Sequence, residues 1–233
     1  MDVSVADFAQ GRVTNPGQSE IVRQRLYDFN LYPAAGIQRL AFFQLAVGQG
    51  ITTALGGTVG ATKTLQDTNL EIGGVLPSGK SVLIESIEIL YLPGSVSTAN
   101  TYTPQTIGNF TAVAAQALWG YSNDVNTFYQ GGMLELNVLS KNYLRETPLL
   151  SFPPKASLDF SGAVASNSAT TAQVTAQVAK ATGRPYYLEP RITLQPAVNF
   201  EVACIWPAAV ANPSGFNARV GCYLDGYTMR ASQ

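Results

Sequence analysis

The sequence predicts an all-β chain, an antiparallel β-sandwich of jelly-roll type with a short helical insertion. Three observations carry this. Residues 81–92 (SVLIESIEILYL), 186–194 (YYLEPRITL), 198–206 (VNFEVACIW) and 217–229 (NARVGCYLDGYTM) are strand-length runs rich in β-branched, aromatic and aliphatic residues. Turn signals such as Pro93-Gly94 and Pro153-Pro154 punctuate the chain. Strands and helices do not alternate, which argues against a parallel α/β sheet.

Taken in order, residues 1–30 read as an N-terminal arm with a turn at Pro16-Gly17, and 31–233 as one sandwich domain. Within the arm, 20–31 (EIVRQRLYDFNL) fits either a short helix or a strand. Residues 37–46 (IQRLAFFQLA) open the β region, and 47–66 read as glycine- and threonine-rich loops around a short strand at Ile51-Thr52-Thr53. The run 81–92 is apolar on both faces: Leu83, Ile87, Ile89 and Tyr91 on one, Val82, Ile84, Leu90 and Leu92 on the other. That pattern predicts a central strand covered on both sides. Residues 95–107 form a polar loop. Across 109–130, Leu118, Tyr121, Val125 and Phe128 recur at helical spacing after a candidate N-cap, Asn109, with Gly131-Gly132 as the stop. Strands follow at 133–139 and 156–161. Residues 162–183, built from Ala, Ser, Thr, Val and Gln, form a surface excursion of no assigned structure. About eight or nine strands result, which suits a Greek-key or jelly-roll sandwich.

Composition narrows the function. The chain has 233 residues, enough for a sizeable core in one large β domain. Charged residues make up 12%, against about 25% in an ordinary soluble domain. Such a surface suits one largely covered by neighbours, because interface cores are depleted in charge. The net charge is −1, and Arg12, Arg23 and Arg25 are offset by Asp2, Asp7, Glu20 and Asp28. There is thus no basic arm, and direct nucleic-acid binding is not expected. The chain contains no histidine, which removes His-based triads, imidazole zinc sites and the usual general base at neutral pH. Cys204 and Cys222 are too few for a four-cysteine zinc site; they read as buried free thiols, with one disulfide as the alternative. The N-terminus lacks the pattern of a signal peptide, and the uncharged stretch 41–62 holds five glycines and two glutamines, so no membrane span is expected.

Several motifs have the residue types of a functional site. Gly74-Val-Leu-Pro-Ser-Gly79-Lys80-Ser81 matches the phosphate-binding P-loop pattern, in which Lys80 would reach phosphates and Ser81 a magnesium ion. A helix must follow such a loop, whereas residues 81–92 read as a strand; a hairpin turn with Pro77 at its second position and Gly79 left-handed is the better reading. Glu85 and Glu88, three apart on a strand, are expected on opposite faces and so not as a catalytic pair. Asp124, Glu135, Asp159 and Asp225 are scattered. Asn109-Phe110-Thr111 is a formal glycosylation sequon. Tyr91, Trp119, Tyr121, Phe128, Tyr129, Tyr186, Tyr187 and Trp206 would suit a sugar-binding face, although core packing and subunit contacts are commoner uses. No catalytic, metal or cofactor-binding residue is assigned, and no enzymatic activity is expected.

Three stretches carry a family resemblance: 73–94 (GGVLPSGKSVLIESIEILYLPG), 192–207 (ITLQPAVNFEVACIWP) and 218–233 (ARVGCYLDGYTMRASQ). In strand length, turn placement and a final strand at the C-terminus they resemble jelly-roll coat proteins of icosahedral, tailless bacteriophages. The resemblance implies a virion protein that assembles into an icosahedral shell through trimers or pentamers of itself, beside other virion proteins. Two features depart from that family. A double jelly roll needs about sixteen strands, which 233 residues hold only tightly, so a single roll with a long insertion is expected. The neutral arm differs from basic, genome-binding arms, and fits a shell lying over a membrane or an inner layer. The alternative is a receptor- or carbohydrate-binding β-sandwich of a fibre or decoration protein.

Overall fold

The computed structural model describes residues 20–50, 62–93, 123–155, 163–166, 172–176 and 183–231. Strand is the dominant element among the described residues: β1 (Glu20–Arg23), β2 (Leu26–Tyr32), β3 (Arg39–Phe42), β4 (Lys80–Leu92), β5 (Met133–Val138), β6 (Lys141–Pro148), β7 (Ala163–Ser166), β8 (Ala172–Ala176), β9 (Tyr186–Leu194), β10 (Phe200–Ile205) and β11 (Ala218–Arg230). A helix, α1, covers 123–131.

The pairings define the fold. β11 pairs with β2, β10 with β3, β9 with β4 and β6 with β5, each antiparallel. With β1 and β2 counted as one interrupted strand along β11, the first strand meets the last, the second the second-last, and so on inward. The chain is therefore a long nested hairpin rolled into two sheets, which is the jelly roll. Rolling adds the pairs β11–β4 and β10–β5. One sheet runs β1/β2–β11–β4–β9 and the other β3–β10–β5–β6. β7 and β8 form a separate two-stranded sheet.

Packing follows from alternation. The inner face of β4 carries Val82, Ile84, Ile87, Ile89 and Tyr91, all in the core, opposite Leu40 and Phe42 of β3, Leu134 and Leu136 of β5, and Val202 and Cys204 of β10. The step from Ile84 to Ile87 breaks strict alternation. Asp225 pairs with Ser86 and Gly226 with Ile84, so Glu85 is an extra residue, a β-bulge. This corrects the two faces drawn from sequence, because the bulge switches parity at Glu85. Gly226 is required there: a Cβ would lie 1.9 Å from the Leu83 carbonyl oxygen.

Helix α1 closes one end of the sandwich. Val125, Phe128 and Tyr129, spaced to share one helical face, are all buried. Phe128 packs against Tyr32, Tyr91 and Trp206 with ring centroids 5.5, 4.6 and 5.2 Å away. The polar tips are satisfied: Trp206 Nε1 donates to the Phe128 carbonyl (3.2 Å), and the Tyr129 hydroxyl to the Ile89 carbonyl (2.6 Å). Gly131 is the last helical residue, as expected.

Other sequence expectations need adjustment. Residues 20–32 are strands of the sandwich, so the boundary at residue 30 falls inside β2. The predicted strand 37–46 shortens to β3, because Phe43 turns to a φ of +66°. β6 was not anticipated, and β7–β8 give part of the 162–183 excursion a form. The strands expected at 51–53 and 156–161, the loop 95–107, Asn109 and residues 1–19 lie outside the described residues.

Gly226→Ala should destabilise the fold by about 1–3 kcal/mol or more, the range for forcing atoms into a packed site. Urea unfolding would show this as a lower midpoint with an unchanged slope.

Candidate functional site

The P-loop-like segment is a turn leading into β4. Gly74 and Gly79 both have positive φ, +74° and +76°. The Lys80 N–H donates to the Pro77 carbonyl at 3.1 Å, so Pro77 is the first residue of the turn, not the second, and Gly79 is the third. The turn does not join two paired strands as a hairpin would; Ile72 and Val75 bridge around Gly73-Gly74, and β4 follows at Lys80. Lys80 Nζ lies 2.9 Å from Glu71 Oε1. With a strand after it and its lysine engaged, the segment lacks the helix N-terminus on which phosphate binding depends.

Glu85 and Glu88 meet a different fate from the one the strand pattern predicts. The bulge brings both to the outer face of the first sheet, together with Asp225. Arg23 spans Asp225 (3.0 Å) and Glu85 (3.6 Å); Arg25 spans Asp225 and Glu88, both at 3.5 Å. Lys155 Nζ approaches Asp225 at 3.6 Å, and Arg191 approaches Glu85 at 2.9 Å. The Lys155 backbone N–H donates to Glu88 Oε2 at 2.8 Å. Burial alone would raise the Asp225 carboxyl, but the hydrogen bond and charge of Arg23, with Arg25 and Lys155, hold it below the usual carboxylate range. Three carboxylates thus share four cations. Asp225 stays ionised, which suits a clamp joining β1, β4, β9, β11 and the 149–155 segment rather than a proton-transferring pair. The cluster was missed in the sequence because its four cations come from three separated segments, at 23–25, 155 and 191.

The other carboxylates are structural anchors. Asp124 in α1 accepts the Ser214 N–H (2.8 Å) and hydroxyl (2.5 Å), tying the helix to the β10–β11 loop; burial raises its carboxyl. Glu135 and Glu201 flank Arg39 on the outer face of the second sheet, at 3.8 and 2.5 Å. Asp159 lies outside the described residues. Among the described residues no three His, Cys, Asp or Glu side chains are placed to hold a metal ion.

One ion pair is fully buried. Lys63 Nζ donates to Asp28 Oδ1 in β2 and to the Phe29 carbonyl (3.1 Å), while Asp28 Oδ2 accepts the Phe43 N–H at 2.7 Å. The segment 63–70 runs along the free edge of β2, with the Phe29 N–H donating to the Asp67 carbonyl (2.7 Å) and Asn69 Oδ1 accepting the Tyr27 N–H (3.0 Å). It covers an edge that would otherwise present unpaired backbone groups. Nearby, Asn30 Nδ2 donates to the Ala41 carbonyl at 2.7 Å and stitches β2 to β3. This side of the sandwich is closed.

On the opposite side, β6 and β9 are the outer strands of their sheets among the described residues. A groove of about 280 Å³ lies there, lined by Tyr143, Leu144, Tyr186, Leu188 and Ile192 among others. Tyr143 and, on β9, Tyr187 are about half exposed. The remaining described members of the aromatic set do not form a face for sugar: Tyr91, Phe128, Tyr129 and Trp206 are core residues. Trp119, Tyr121 and the Asn109 sequon lie outside the described residues. Cys204 and Cys222 are free, fully buried thiols, and burial pushes both well above the ordinary thiol range.

No family model, curated protein or solved structure matches the chain.

Lys63→Met should cost about 3–5 kcal/mol at neutral pH, because it strands the Asp28 carboxylate in the core. Burial already raises Asp28 against the opposing charge of Lys63. A raised carboxyl in the folded state penalises folding once pH climbs above the unfolded value near ~3.9, and most strongly above the folded value. The loss should therefore be largest at pH 7 and shrink towards pH 4, as urea unfolding of both proteins at the two pH values would show.

Proposed function

We propose that this chain is a structural coat subunit that assembles with copies of itself into a closed icosahedral shell. The nested strand pairing carries this reading: a complete single jelly roll is an architecture used by capsid subunits. Three further features support it. Charged residues are half as frequent as in an ordinary domain, and the described charges are largely spent on internal clamps. Leu65, Leu139 and Leu150 add large apolar side chains that are 70, 66 and 61% exposed. The described residues of the three stretches that resemble coat proteins, 73–94, 192–207 and 218–233, form the turn into β4 with β4 itself, the end of β9 with β10, and β11.

In this reading the subunit works through trimers or pentamers within a virion, beside other virion proteins. It has no catalytic role and no cofactor, and it does not contact the genome directly. This reading also allows the shell to lie over an internal membrane or inner layer; among the described residues no helix is long and apolar enough to cross a membrane.

Light scattering after size exclusion, with negative-stain imaging of the same fractions, tests the proposal. Trimers, pentamers or closed shells are expected, and Lys80→Ala should assemble like the parent and neither chain bind nucleotide. A stable monomer at all concentrations would contradict the coat reading. Nucleotide binding abolished by Lys80→Ala would contradict it in favour of an enzyme.

A further inference from the structure

The buried pair of Lys63 and Asp28 is arranged for more than charge pairing. Their side chains are 1 and 0% exposed. Lys63 Nζ donates to Asp28 Oδ1 and to the Phe29 carbonyl (3.1 Å), and Asp28 Oδ2 accepts the Phe43 N–H (2.7 Å). Asp28 is flanked by Cys222 of β11 on one side and bridged to Thr68 on the other. An ammonium has three protons to place, and among the described residues Nζ has these two acceptors. The attraction between two buried charges offsets their loss of water only in part. An amide joining the same two side chains would fit the same partners better. Its single N–H would keep the Phe29 carbonyl, its oxygen would keep the Phe43 N–H, and no buried charge would remain.

We propose that Lys63 and Asp28 condense into an intramolecular isopeptide bond that fixes the 63–70 segment covalently to β2. The ion pair is the state before the reaction, and the inference stands apart from the coat reading. A proton first passes from Nζ to Oδ1, which leaves a neutral amine against a neutral acid and removes both charges from the core. Burial favours this form, since it pushes the Asp28 carboxyl up. The Nζ lone pair then attacks Cγ, beside which the hydrogen bond already holds it. The C–N bond forms, and the carbonyl electrons move onto Oδ2, where the Phe43 N–H stabilises the developing charge. A second proton moves from nitrogen to Oδ1, the Cγ–Oδ1 bond breaks, water leaves, and the carbonyl reforms at Oδ2. One ammonium and one carboxylate thus give one amide and one water, with no oxidant or cofactor. Among the described residues no third carboxylate is hydrogen-bonded to the pair to relay these protons. The reaction is therefore slow, runs once per chain, and its product accumulates after folding.

Mass spectrometry of the folded full chain, sampled over prolonged storage and then unfolded, tests the bond. A species lighter than the sequence by one water is expected, in a fraction that grows with storage. Trypsin does not cut after an acylated lysine, so the digest should contain peptide 26–39 joined to peptide 40–80, uncut at Lys63. Lys63→Arg keeps the positive charge but lacks a nucleophilic amine, and should stay at full mass. A parent that remains at full mass throughout would overturn the inference. So would a water loss that leaves the two peptides unlinked, as a cyclic imide at Asp28 would, or an equal water loss in Lys63→Arg. The parent digest decides the matter by itself if Lys63→Arg folds poorly.

Discussion

The ladder between β4 and β11 runs the length of both thirteen-residue strands, from Arg219–Leu92 to Arg230–Lys80. Every other part of the first sheet hangs on it: β1 and β2 on the free side of β11, β9 on the free side of β4. Its inner face supplies Ile84, Ile87, Ile89, Val220, Cys222 and Leu224 to the core against which the second sheet packs. Burying each such aliphatic side chain contributes about 1.5–3 kcal/mol, so this pair supplies a substantial part of the core between the sheets. The two strands lie far apart in sequence, and joining them closes the outer loops of the roll.

The bulge at Glu85 sets the division of labour across that ladder. By shifting the parity of β4 it keeps apolar residues facing inward at both ends of a long strand, and it turns Glu85 outward beside Glu88 and Asp225. The arginines of the first strand and Lys155 then find three carboxylates on one face. A single extra residue thus couples the packing of the core to the clamp that holds the β1 edge. The buried Asp28–Lys63 pair plays a matching part on the other side of β2, where it fixes the segment that covers the strand edge.

Much of this was legible in the sequence. β4, β9, β10 and β11 stand out because their apolar residues are dense and β-branched, and the stop of α1 was marked by Gly131-Gly132. What was not legible has physical reasons. β6 (KNYLRETP) is a polar edge strand, and the turn before it is Leu139-Ser140, with Leu139 forced to a φ of +54° where Asn or Gly is usual. β1 and β2 mix charged and apolar residues because Arg23, Arg25 and Asp28 each have partners distant in the chain. The bulge cannot be read from β4 alone, since its need arises from Gly226 on the opposite strand. The nesting order, which carries the functional reading, is a property of pairings and is invisible in any one segment.

On the proposed coat reading, a jelly roll with its longest ladder in the middle of one sheet is a subunit that folds first and assembles second. Hydrogen exchange on the isolated subunit and on its assembled form tests this most directly. The account predicts that amides of β4 and β11 exchange slowest in both, through global unfolding, while those of the outer strands β6 and β9 exchange faster in the subunit and slow on assembly. Rapid exchange along β4 and β11 in the isolated subunit, or no added protection at β6 and β9 after assembly, would contradict it.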